Sequence, residues 1–225
     1  MTFIFLLMFS YAAQATHGVS NGGSGLECVS RDGTISVDSW DISYGRTLGE
    51  TYIAISQPNL RVEQLLRLVL ARFRDVDPER FAVYSAWSMQ ARMVEGGALV
   101  NLTDPVFSGK VNCRIVPLAM QQIVTCATRV GDPSTSVLWV DSKRWQKLST
   151  LDRAALLIHE LVYKEAKLRN LFSTARSSEN ARTVASLVSY LMSDRFYQGG
   201  HARYWTKLNQ LGFGSLDSNE STLCR

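Results

Sequence analysis

The sequence is poor in the residues and patterns that announce most enzymes. Its 225 residues include three histidines and four cysteines. No C-x-x-C pair occurs, so a zinc ribbon is not expected. No G-x-S-x-G elbow, P-loop or strand-linked G-x-G-x-x-G occurs, and the common hydrolase and nucleotide-binding signatures go with them. Basic runs are missing too. The 24 lysines and arginines are interspersed with 20 acids, for a net charge of +4. That distribution describes a solvated surface, and no nucleic-acid partner is expected. Beyond the first residues no long apolar run appears, so the mature chain is expected to lack a transmembrane segment. The sequence names no partner.

What is present is ordinary globular material. The chain is 46% hydrophobic and 20% charged, outside the range of disordered proteins. A chain of this size buries roughly 70% of its unfolded surface and needs no staples. Residues 1–15, MTFIFLLMFSYAAQA, differ from the rest. Phe3 to Phe9 forms an apolar run of signal-peptide length, and Ala13-Gln14-Ala15 is an A-x-A cleavage pattern. No Lys or Arg precedes the run; the first basic residue is Arg31. We read residues 1–15 as a signal peptide cleaved after Ala15, which sends the chain to the periplasm or outside the cell. Residues 16–25 form a flexible Gly/Ser-rich lead, and residues 26–225 form one domain with a tail from about 195.

An even number of cysteines in an exported chain favours disulfides. If VNCRIVPLAMQQIVTCATR folds as a hairpin turning at Ala119-Met120, Cys113 and Cys126 face each other. The expected pairs are then Cys113–Cys126 and Cys28–Cys224. Upstream, LECVSRDGTISVDSW reads as a hairpin with Asp32-Gly33 in a two-residue turn. DISYGRTLGETYIAIS is ambiguous. NLRVEQLLRLVLARFR is an amphipathic helix. Asp77-Pro78 opens a second helix reaching Val94, closed by Gly96-Gly97. ALVNL and SVLWVD read as strands. Ser149 to Asp152 resembles a capping box that opens a helix running to about Leu171. Another helix covers about Ala181 to Asp194, and the aromatic tail straps over the domain. The layout is α+β in a single domain: short antiparallel strands and hairpins packed with about four helices.

The stretch that carries chemistry is LLIHELVYKEA, Leu156 to Ala166. It begins as the metalloprotease pattern H-E-x-x-H, which puts two histidines one turn apart on a helix to hold zinc. Tyr163 stands where the second histidine belongs, and a neutral phenol is a poor zinc ligand. Glu165 or Glu179 could supply a further carboxylate. Three readings stay open for His159, Glu160, Tyr163 and Glu165. They form a divergent zinc site, a general-base site without metal, or a hydrogen-bonded architectural cluster. The architectural reading is favoured, so no cofactor is expected, with zinc as the alternative. His17 and His201 fall in the lead and tail, where solvent exposure is the default.

The chain also resembles a family of exported proteins of predatory and related Gram-negative bacteria. The shared features are Asn21-Gly22-Gly23, the Cys28-x-x-Arg31-Asp32-Gly33 turn, Asn112-Cys113-Arg114-Ile115, Gln121-Gln122 and Trp145. To these are added the block from Ala154 to Ala166, Glu179-Asn180 and Ser193-Asp194. The resemblance covers residues 18–194, and its specific part is H-E-x-x-Y-[K/R]-E-A. The family brings no established activity. It implies that His159, Glu160, Tyr163 and Glu165 form a unit to which Tyr163 belongs. Relatives often carry a histidine just before the Glu-Asn pair; this chain has Ser178 there. The expected role is a soluble binding or structural domain of the cell envelope. The alternative is a hydrolase using Glu160 as base and His159 as one zinc ligand.

Overall fold

A strand pair opens the fold: β1 (Ser24–Ser30) runs antiparallel to β2 (Ile35–Ser39). The hairpin is where the sequence places it, but its turn is one residue longer. Val29 pairs with Ile35, the Ser30 amide donates to the Thr34 carbonyl at 2.9 Å, and Gly33 adopts φ 83°. A left-handed glycine closing a three-residue loop is the usual solution at this length. β1 starts at Ser24, so the last two residues of the expected lead belong to the sheet. This computed structural model describes residues 23–52, 59–90, 93–96, 118–130, 137–172 and 177–216. The expected signal peptide, the strand at ALVNL, Cys113 and Cys224 lie outside them.

The chain turns straight from β2 into α1 (Trp40–Thr47), the stretch that reads ambiguously in sequence. The amphipathic helix α2 (Val62–Val76) and α3 (Pro78–Gln90) follow, with Asp77 between them. α3 stops at Gln90 rather than Val94, because Met93–Gly96 forms strand β3. The expected hairpin at Ala119-Met120 does not form. Leu118–Thr125 is one continuous strand, β4, paired with β1. A single residue, Cys126, separates it from β5 (Ala127–Val130). Strand β6 (Val137–Asp141) pairs parallel with β3 and antiparallel with β5. Two three-stranded sheets result, ordered β2-β1-β4 and β3-β6-β5. Cys126 joins them: its amide donates to the Gly23 carbonyl at 3.1 Å and its carbonyl accepts from the Asp141 amide at 2.9 Å.

The Cys113–Cys126 pair is therefore corrected. Cys126 is a buried free thiol, which burial pushes up to about 12. Cys28 is disulfide-bonded, to a sulfur outside the described residues. The error came from placing a turn at Ala119-Met120, inside what is a β4 ladder eight residues long.

Helix α4 (Ser142–Lys147) leads into α5 (Thr150–Leu168), which carries the motif. Ser149 caps α5 as expected, its hydroxyl accepting from the Asp152 amide at 3.1 Å. Ser149→Ala should lower stability by about 1 kcal/mol in urea unfolding, the worth of an N-cap. The helix ends at Leu168, three residues short of the expectation, where Asn170 takes φ 52°. α6 (Ser177–Leu191), α7 (Asp194–Gln198) and α8 (His201–Gln210) follow, so the described part of the tail is largely helical up to Gln210. The α+β class holds, with eight helices among the described residues instead of about four. None of them is long and apolar enough to cross a membrane.

The main core is built by the helices. Val69, Phe73, Tyr84, Ile158, Val162, Val184, Leu187, Leu191 and Phe196 all belong to it. A smaller core joins the sheets to α4 and α5 through Val37, Leu138, Val140, Trp145 and Leu156. α5 lies between the two cores and is buried around most of its circumference. Its polar motif residues must consequently find partners inside the protein, since an unpaired buried charge is costly.

Candidate functional site

Successive residues of an α-helix are rotated by about 100°, so the four motif residues point in different directions from α5. His159 and Tyr163 share one face. Glu160 lies to one side of them, and Glu165 lies roughly 120° from His159 in the other direction. The structure gives each side its own partners.

His159 faces α1. Its Nδ1 lies 3.1 Å from both Asp41 carboxylate oxygens. Both residues are buried, with 6% and 1% of their surface exposed. The register comes from the junction of β2 and α1. The Ser39 amide donates to Asp152 Oδ1 at 2.9 Å, near the start of α5. Asp152 and His159 are seven residues apart and share a face. Pinning Ser39 to Asp152 therefore sets Asp41, two residues on, over the imidazole. Tyr163 stacks on His159 with centroids 6.2 Å apart and an interplanar angle of 9°. Phe172 packs against the Tyr163 ring with centroids 5.5 Å apart, tilted by 43°, and Lys167 Nζ sits 5.5 Å from its centroid. Glu160 is 2% exposed and accepts from the Gly23 amide at 3.4 Å. It thereby ties α5 to the start of β1. Lys164, 8% exposed, lies 4.6 Å over the Trp87 ring, a cation–π contact made stronger by desolvation.

Glu165 belongs to a separate group. Its side chain is fully buried, and Arg80 on α3 is equally buried. Arg80 Nε donates to Glu165 Oε2 and Nη2 to Oε1, both at 2.9 Å. The fork-on-fork pairing is the strongest arrangement open to a guanidinium and a carboxylate. Tyr84 donates its hydroxyl to Glu165 Oε2 at 2.7 Å, and Arg169 Nη1 donates to Oε1 at 2.9 Å. Arg80 Nη1 also contacts Asp77 and donates to the Tyr204 hydroxyl at 2.8 Å. Tyr204 in turn donates to Asp77 Oδ2 at 2.7 Å. Two guanidiniums and two carboxylates thus balance in the core.

The same group grips the end of the chain. Arg169 donates to the Phe213 carbonyl and, at 3.0 Å, to that of Ser215. Arg80 Nη2 donates to the Gly214 carbonyl at 3.1 Å. Three successive carbonyls, those of Phe213, Gly214 and Ser215, are held by two arginines. Burial opposes ionisation of Glu165. The Arg80 charge and the hydrogen bonds from Arg80, Tyr84 and Arg169 outweigh it and hold the carboxyl below its usual range. Burial likewise opposes the Arg80 charge, and Glu165 restores it, leaving the guanidinium firmly charged. Burial, followed by the Glu165 charge, pushes the Tyr84 hydroxyl well up, so it acts as a donor.

The candidate residues accordingly fall into two groups. His159 meets α1 through Asp41, Glu160 meets the start of β1, and Tyr163 stacks on His159. Glu165 is on the far side with α3 and the tail. Sequence reasoning missed Asp41, Asp152, Arg80, Asp77 and Tyr204 as partners. Arg80 left one trace: a lone arginine beside Phe81, Tyr84 and Trp87 on the inner side of a helix. Asp41 left none. Among the described residues no three His, Cys, Asp or Glu side chains are placed to hold a metal ion. No family model, curated protein or solved structure matches the chain.

Proposed function

We propose that the chain is an exported binding or structural domain of the cell envelope, in which α5 serves as the internal scaffold. One observation carries this reading. The motif's polar groups are spent on different sides of a single buried helix, with Glu165 bound by three side chains and His159 backed by Asp41. A catalytic constellation needs its groups to converge on one reacting atom. Export rests on residues 1–15 of the sequence and predicts Thr16 as the first residue of the mature protein.

A second reading has one observation in its favour. His159 presents Nδ1 to Asp41, which is the orientation that metal-bound imidazoles take when Nε2 binds the ion. On that reading His159 and Glu160 would supply ligand and base to a zinc hydrolase, with Glu165 excluded by its own partners. Metal analysis of protein purified without chelators separates the two. The scaffold reading expects no stoichiometric zinc. It also expects His159→Ala to lose about 1–3 kcal/mol in denaturant unfolding, because Asp41 is left buried and short of a partner. One zinc per chain, lost in a His159→Ala variant that still melts like the parent, would overturn it.

A further inference from the structure

The chain has four cysteines, and the state of two is fixed. Cys126 is a free thiol, and Cys28 is in a disulfide. The partner of Cys28 is therefore Cys113 or Cys224. Cys28 lies in β1, the middle strand of the sheet β2-β1-β4, and is fully buried. A disulfide needs Cα atoms about 4.4–6.8 Å apart, so its partner must be delivered to the middle of this sheet.

β4 brings its first residue to that place. Leu118 pairs with Ser30, and Gln121 pairs with Cys28 itself. Paired strands lie about 5 Å apart and rise about 3.4 Å per residue, which puts Leu118 within roughly 9 Å of Cys28. Cys113 is five residues before Leu118. Five residues reach up to roughly 17 Å, ample to fold back over β1.

The other end of the chain is held elsewhere. Ser39 pairs with Gly25, and its amide donates to Asp152 at the start of α5. The Gly23 amide donates to Glu160, further along the same helix. β1 therefore runs from the middle of α5 back toward its start, and Cys28 lies three residues beyond Gly25 in that direction. Leu216, by contrast, is buried in the main core next to Ser215, whose carbonyl Arg169 holds just past the last residue of α5. α5 rises about 25 Å between Asp152 and Arg169, and β1 adds about 10 Å from Gly25 to Cys28. The eight residues from Leu216 to Cys224 span at most roughly 29 Å. A link to Cys28 would consume that whole length as one straight run along α5.

We propose that Cys28 is bonded to Cys113, and that Cys224 stays a thiol alongside Cys126. The pair replaces the Cys28–Cys224 bond expected from the sequence. In forming it, two thiols lose two protons and two electrons, and a disulfide of an exchange partner such as oxidised glutathione is reduced to two thiols. The bond fastens the entry of β4 to the middle strand of its sheet and closes a loop that contains α1, α2, α3 and β3. It shares no residue with the α5 motif, so its failure would leave the scaffold reading of α5 untouched.

The test is a tryptic map of the full mature chain, folded in a glutathione redox buffer so that the result does not depend on export. Free thiols are alkylated under denaturing conditions before digestion without reductant. Cleavage after Arg31, Lys110, Arg114, Arg129 and Lys207 puts each cysteine on its own peptide. The 111–114 peptide should be joined to the one carrying Cys28, with alkyl groups on Cys126 and Cys224. A 208–225 peptide joined to Cys28, or an alkylated Cys28, would overturn the proposal. Cys113→Ser should melt roughly 5–15 °C below the parent, as for loss of one native disulfide in a chain of this size, and Cys224→Ser should melt with the parent. Cys113→Ser melting no lower than Cys224→Ser would equally overturn it.

Discussion

Arg80→Ala is expected to lower stability by about 3–5 kcal/mol, the cost of removing one partner from a buried ion pair. Glu165 and Asp77 would stay behind, each 3% exposed or less, with their main counter-charge gone. The loss reaches beyond the pair. Arg80 also holds the Gly214 carbonyl and the Tyr204 hydroxyl, so the strap at 212–216 and α8 should loosen together. Denaturant unfolding gives the magnitude, and hydrogen exchange at residues 208–216 gives the location. A change below about 1 kcal/mol, the range of exposed pairs, would mean the network is not the anchor it looks like. Glu165 adds a pH signature. Its folded pKa lies below the ordinary 4.5. Its contribution is thus fully present above pH 4.5 and is lost as the pH falls through the folded value. Glu165→Gln should flatten that acid limb relative to the parent, and parallel curves would rule out this linkage.

Gly45→Val should cost about 1–3 kcal/mol by overpacking. Gly45 sits in α1, where glycine is ordinarily about 1 kcal/mol worse than alanine. A Cβ there would run into the Tyr52 hydroxyl and Ser189 Cβ, with Ser189 Oγ at 3.0 Å. The sign of the usual helix rule is therefore reversed, and even Gly45→Ala should destabilise. Pairing Gly45→Ala with Ser189→Gly opens room on the facing helix and should recover part of the loss. If Gly45→Ala melts higher than the parent, α1 and α6 are not in the close contact seen here.

The helices that could be read in the sequence share one property: their burial is written into local order. α2 shows a clean 3.6-residue stripe and carries its apolar face into the core at Leu65, Val69, Phe73 and Val76. Ser149 marks the start of α5 by chemistry within one turn. α1 showed no such stripe, because it buries Asp41 and Ser43 alongside Trp40 and Ile42. β4 was misread for a related reason. Its partner, β1, lies about ninety residues away in the chain, as in the Glu27–Gln122 pair, whereas a hairpin needs only a nearby turn.

The sequence by itself determined the α+β class, the first hairpin, α2 and the start of α5. Those features depend on periodicity, caps and turns within a few residues. Only the tertiary structure decided what the motif is bonded to. A helix fixes the angle between His159, Glu160, Tyr163 and Glu165, but it does not say what stands at each angle. Asp41 arrives from 118 residues away and Arg80 from 85. Partners at that separation are chosen by the packing of whole elements, and the pairing of the motif's charges follows from that packing.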